Sequence, residues 1–134
     1  MCLFTDNPIS KVADKPIRVW KLLTKFQSPI NGSYSYRTPY MDTPVKIGEI
    51  LQASCPAQEL IPCSTFKSTM FMVMDQGVHA FISKKNAILE EYLISHGIIA
   101  EWEIPVGAKY WVGNGSSKDE IAATEMKFIK VCED

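Results

Sequence analysis

The sequence predicts an α+β domain, a mainly antiparallel sheet packed against one principal helix at about 84–95. Three observations carry this expectation. Apolar and polar residues alternate with the period of two that a half-buried strand requires, most plainly over 17–23 and 98–104. A single stretch, 84–95, has helical spacing, with Ile88, Leu89, Tyr92 and Leu93 on one face. Turn residues punctuate the chain without the strand–helix–strand rhythm of a parallel sheet.

The first 16 residues, polar and bracketed by Pro8 and Pro16, read as an N-terminal arm, and 17–134 as one domain. In 17–23, Ile17, Val19 and Lys21 share one face, and Arg18, Trp20 and Leu22 the other. Asn31-Gly32 is a turn signal, because both residues tolerate positive φ. Tyr34, Tyr36 and Tyr40 follow it, interleaved with small polar residues. They read either as an edge strand covering the core or as an aromatic surface facing a ligand, since tyrosine joins apolar area to a polar tip.

A strand is expected over 45–51, broken near Gly48, and a loop or short irregular helix over 52–65. Residues 66–74 contain the apolar run Met70-Phe71-Met72-Val73-Met74, whose period cannot separate helix from strand. Its methionines suit core filling. After the turn at 75–77 comes a buried strand, 78–82, and Ser83 is placed to cap the helix. Lys84, Lys85, Glu90 and Glu91 are left for solvent, and Gly97 is expected as the left-handed residue that ends the helix. Along 98–104, Ile98, Ala100, Trp102 and Ile104 oppose Ile99, Glu101 and Glu103; 105–107 turns the chain and 108–112 returns. A loop at 113–117 and a last strand at about 124–131 complete it, with both faces of that strand apolar.

A chain of 134 residues buries enough surface, about 68–70% of what it exposes unfolded, to hold a core unaided. Net charge of −1 and a pI near 6.1 argue against general nucleic-acid binding, which needs many cations. No run of 18 apolar residues exists to span a membrane, and 1–6 lacks the basic and apolar regions of a signal peptide. A cytoplasmic protein with no membrane partner is expected. Cys2, Cys55, Cys63 and Cys132 are spaced too widely for paired zinc ligands, so reduced thiols and no metal are expected; a Cys55–Cys63 bridge is left open.

Few residues point to chemistry. His79, in the 78–82 strand, reads first as a hydrogen-bonded structural residue and second as an acid–base or ligand-orienting group. His96 sits in the expected last helical turn, where a cation suits the macrodipole. Gly113-Asn114-Gly115 lacks the Lys-Ser/Thr pair of a phosphate loop. Cys2, once Met1 is removed, is placed like the N-terminal cysteine of some amidotransferases, but Leu3-Phe4-Thr5-Asp6 does not continue that pattern.

Met1-Cys2-Leu3, the 15–21 strand, Gly77-Val78-His79-Ala80-Phe81 and 104–110 occur in an order that resembles small proteins of unknown function from bacteriophages and gut bacteria. That resemblance implies no activity. A second set is similar to ADP-ribosyltransferases of the arginine–serine–glutamate type: Arg18 on the first strand, the turn Ile104-Pro105-Val106-Gly107-Ala108, and Glu125 opening a strand. This resemblance implies NAD as cofactor, with Arg18 holding its phosphates and Glu125 stabilising an oxocarbenium-like sugar. The pattern departs where His79-Ala80-Phe81 replaces the Ser-Thr-Ser element and where Ala123 precedes Glu125.

The expectation is therefore a small binding or accessory protein without catalysis or cofactor, its contact surface formed by Tyr34, Tyr36 and Tyr40, its partner a protein or small molecule. The alternative is a degenerate ADP-ribosyltransferase-like NAD-binding domain with Arg18, His79 and Glu125 lining one cleft.

Overall fold

The computed structural model of the chain describes residues 3–5, 10–39, 43–52, 60–65, 68–73, 78–91, 97–113 and 118–132. Its strands are β1 (Leu3–Thr5), β2 (Lys11–Val12), β3 (Ile17–Gln27), β4 (Tyr34–Arg37), β5 (Pro44–Val45), β6 (Ile50–Gln52), β7 (Leu60–Thr65), β8 (Ser68–Val73), β9 (Val78–Phe81), β10 (Gly97–Ile104), β11 (Lys109–Val112), β12 (Glu120–Ala123) and β13 (Glu125–Val131), and its helix is α1 (Lys84–Glu91). Ten strands form one antiparallel sheet, in the order β2-β11-β12-β9-β3-β10-β13-β6 with β4 and β5 branching from β3. A smaller antiparallel sheet has the order β1-β8-β7.

The fold is predominantly β, which corrects the α+β expectation with its principal helix at 84–95. The helix spans eight residues, about two turns, too short to bury an apolar stripe. Ile88 and Leu89 are 38% and 61% exposed, and Ala87 instead meets Leu22, Phe81 and Ile99 on the outer face of the sheet. Ser83 caps the helix as expected, its Oγ accepting from the Asn86 N–H at 3.4 Å and from Asn86 Nδ2 at 2.8 Å. Gly97 does not take the left-handed role: it opens β10 opposite Thr24, and the positive-φ glycines among the described residues are Gly32, Gly48 and Gly107. Residues 92–96, with His96, lie outside the described residues.

Strand content is also higher elsewhere. The loop or irregular helix expected over 52–65 contains β7, and the ambiguous 66–74 run contains β8; they pair over six residues, from Leu60↔Val73 to Thr65↔Ser68. The 108–112 segment does not return along β10. It pairs with β12 and β2 after a turn in which Gly107 takes φ +90, a conformation glycine adopts without strain. The described parts of the expected arm over 1–16 join the sheets: β1 pairs with β8, β2 with β11, and Ala13 is buried with its N–H donating to the Ala108 carbonyl at 2.9 Å.

β3 is the axis of the large sheet. It is paired with β10 from Ile17↔Ile104 to Thr24↔Gly97. Alternation sends Val19 and Leu23 inward with Trp102 and Ile104 of β10, and Trp20 and Leu22 outward beneath α1. The sheet then curls round this inner core. β12 runs into β13 through a bend at Thr124, and the chain pairs with β9 before the bend and β10 after it. Ile121 and Ala123 face the same core as Met126 and Phe128, so the alternation slips by one residue at 124–125. Residues 43–52 close the other side. Val45 pairs with Tyr36, while the Gly48 N–H donates to Phe128 O at 2.8 Å and the Phe128 N–H to Glu49 O at 3.0 Å.

At the centre the rings of Trp102 and Phe128 stack with centroids 4.9 Å apart and planes 7° apart, and Tyr36 meets Phe128 edge-on at 5.9 Å. Met126 and Phe128 thus define the buried face of the last strand, which the sequence left open.

Candidate functional site

β3 outlasts its partner β10. Beyond Thr24 it continues as Lys25-Phe26-Gln27 and forms a hairpin with β4, in register from Thr24↔Arg37 to Gln27↔Tyr34. The turn is held by the Ser28 N–H donating to Ser33 O at 2.7 Å and the Gly32 N–H to Ser28 O at 2.9 Å. Asn31 Oδ1 accepts from the Ser33 N–H at 3.0 Å, and Gln27 Nε2 donates to Gly32 O at 3.2 Å. Gly32 takes φ +72, the conformation that the Asn-Gly pair foretold.

A shallow groove of about 480 Å³ runs along the base of this hairpin, lined by Lys25, Phe26, Gln27, Tyr34, Gly97 and Ile98. Phe26 and Tyr34 are exposed. The Lys25 ammonium sits 4.0 Å from the centre of the Tyr34 ring, which fixes both side chains across the strands. Of the three tyrosines, then, Tyr34 stands on the surface and Tyr36 packs into the core, while Tyr40 lies outside the described residues. Lys25 and Phe26 were not singled out from sequence. The available signal was the turn at Asn31-Gly32, since the strand that begins at 17 meets no Gly or Pro before Pro29.

Arg18, His79 and Glu125 have different settings. Arg18 is on the outer face of β3, its guanidinium 3.2 Å from Glu101 and 3.8 Å from Glu103 across the strands. Lys130 approaches Glu101 at 3.9 Å from the other side. His79 is buried in β9, paired in register with Ala122. Glu125 opens β13 opposite Gln52, half-buried. Exposed cross-strand pairs contribute little, so Arg18→Ala is expected to change the unfolding free energy by less than about 1 kcal/mol in urea titration. A loss of several kcal/mol would mean that Arg18 does more than pair on a wet face.

The unusual titratable group is Lys21. It occupies the inward side of β3 between Val19 and Leu23, opposite Ala100, and its Nζ donates to the His79 carbonyl at 2.7 Å. Burial without a counter-charge lowers its pKa from 10.5 to about 8. The sequence did place Lys21 on the Ile17–Val19 face, and a lysine in an otherwise apolar row was the legible sign.

Among the described residues no group of three or more His, Cys, Asp or Glu side chains could hold a metal ion. Cys132 is a free thiol, and of the Cys55–Cys63 pair Cys55 lies outside the described residues. No helix among them is long and apolar enough to cross a membrane. No protein-family model matches the chain, and neither a curated protein nor a solved structure matches it.

Proposed function

We propose that the protein is a small binding or accessory module that works without catalysis, and that its partner, a protein or small molecule, seats in the groove beside Tyr34. The observation that carries this reading is the Lys25 ammonium set over the exposed Tyr34 ring on a hairpin whose turn is internally hydrogen-bonded, beside a groove that exposed Phe26 also lines. A tyrosine ring met by a cation loses little entropy on contact, and an aromatic anchor with a neighbouring polar group is how binding surfaces concentrate their energy. The reading places the protein in the cytoplasm, with neither nucleic acid nor membrane as partner. The net charge of −1 and the free Cys132 thiol agree with it. NAD handling by Arg18 gains no comparable support, since its guanidinium is engaged by two carboxylates.

The test is capture by the tagged chain from a lysate of the producing cells. Phe26→Ala and Tyr34→Ala are each expected to reduce capture at least tenfold, a loss of about 1.4 kcal/mol or more. Their melting temperatures should stay near the parent value, because both side chains are exposed. Unchanged capture by the folded double variant would remove the groove from consideration.

A further inference from the structure

The groove beside Tyr34 lies where a strand of the sheet runs out. β10 begins at Gly97 opposite Thr24, whereas β3 continues through Lys25, Phe26 and Gln27, paired with β4 along one edge. The hairpin fixes which way the main chain of these residues points. The Ser28 N–H donates to Ser33 O, so Ser28 turns its polar groups toward β4, and by alternation Phe26 and Thr24 do the same. Lys25 and Gln27 therefore turn their N–H and C=O groups to the opposite edge, along the line of β10. The β10 side gives the same phase. There the Cys132 N–H donates to Ile99 O, which leaves Ile98 and Ala100 to bond Leu23 and Lys21. Among the described residues no strand pairs with the outer edge of 25–27, and the groove of about 480 Å³ lies against it, between Lys25, Gln27 and Gly97. Of the described residues that line the groove, Lys25 alone is charged.

We propose that the groove takes an extended acidic segment of a partner protein, which adds to the free edge of β3 as a strand in line with β10. This rests on the binding role given to the groove above and names its occupant. A row of unpaired main-chain donors and acceptors is a template for another chain, and here Lys25 and Gln27 present two of each to an open groove. Side chains of an added strand fall alternately on its two faces. Those on one face meet Lys25, Gln27 and Tyr34, which share a face through the Gln27↔Tyr34 register; those on the other lie beside Phe26. The Lys25 ammonium stands 4.0 Å above the Tyr34 ring, with no carboxylate among the described residues lining the groove. An acidic side chain there gains a cation, and a basic one meets a like charge. Valine or another apolar residue suits the Phe26 side.

The experiment uses the intact, isotope-labelled protein and three capped octapeptides. One alternates glutamate with valine, one alternates lysine with valine, and the third is the glutamate peptide with its backbone nitrogens methylated. Amide exchange is read residue by residue, and affinity by fluorescence anisotropy. In the free protein the amides of Lys25 and Gln27 are expected to exchange on the order of tenfold faster than those of Thr24 and Phe26, which β4 protects. The glutamate peptide should slow Lys25 and Gln27 and bind at least about tenfold more tightly than either of the others. Lys25→Met should bring the glutamate and lysine peptides to within about threefold of each other. Equal binding of those two peptides to the parent, equal binding of the methylated one, or no binding at all would overturn the proposal. So would protection of Lys25 and Gln27 that grows with protein concentration alone, which would assign the edge to a second copy of the chain. The groove itself would survive each of these failures, because it is tested separately by capture with the Phe26 and Tyr34 variants.

Discussion

Replacing Trp102 with alanine is expected to lower the unfolding free energy by about 3–5 kcal/mol, a large part of the roughly 5–15 kcal/mol that holds a domain folded. Trp102 is fully buried, stacks on Phe128 at 4.9 Å and lies opposite Val19 in register. Its removal leaves a void that backbone hydrogen bonds on both sides of β10 keep from collapsing. Urea denaturation would show this as a fall in midpoint at unchanged slope. Trp102→Phe is the informative partner variant. The indole Nε1 is buried with no hydrogen-bond partner among the described residues, so phenylalanine keeps a ring on Phe128 while removing a donor that is costly to leave unsatisfied. That variant should stay within about 1.5 kcal/mol of the parent. A mild effect of alanine would mean that the centre of the core has been misplaced.

The second large effect concerns Lys21 and has a sign that reverses with pH. Its folded pKa of about 8 lies below the ordinary 10.5, so the unfolded chain binds more protons between those values and stability rises with pH across that window. Below pH 8 the cost of holding the ammonium inside is fully present. Lys21→Met removes that cost, keeps an unbranched stem, and gives up the hydrogen bond to the His79 carbonyl, worth about 1 kcal/mol. At pH 7 the variant should therefore be more stable by about 1–2 kcal/mol, with the advantage shrinking from pH 8 and reversed above about 10.5. Urea midpoints of both proteins at pH 7, 9 and 10.5 measure it. A difference that does not move with pH would show that the amine is as well solvated folded as unfolded.

The strands flanking the core were legible because their partners are one-sided. Ile17 and Val19 alternate with Arg18 and Trp20, and Trp102 and Ile104 with Glu101 and Glu103, so period separated the two faces of each strand. The helix was over-read for the same reason. Ile88 and Leu89 look like a stripe, but two turns cannot carry one, and Ala87 is the residue small enough to let α1 approach β3. In β13, Met126 and Phe128 could not be told from Ile129 and Val131, because the face is chosen by the slip at 124–125, a tertiary feature. At the groove, Tyr34 was anticipated, whereas Tyr36, identical in type and two residues on, belongs to the interior because Phe128 lies beneath it. Spacing gives alternation; which side meets the core depends on residues far along the chain.

The pairing of β3 with β10 has a consequence for how the protein is made. Thr24 waits for Gly97, and Ile17 for Ile104, so β3 leaves the ribosome long before its main partner exists. At about 5–20 residues per second that interval is on the order of 4–15 s. Throughout it the Val19 and Leu23 side of the nascent strand is uncovered, with its backbone edge open to pairing with other chains. Closure round the core then awaits the bend at Thr124. Yield of folded protein should thus depend on the crowd of half-made copies around each ribosome, and slower, sparser synthesis should recover more of it than a faster one.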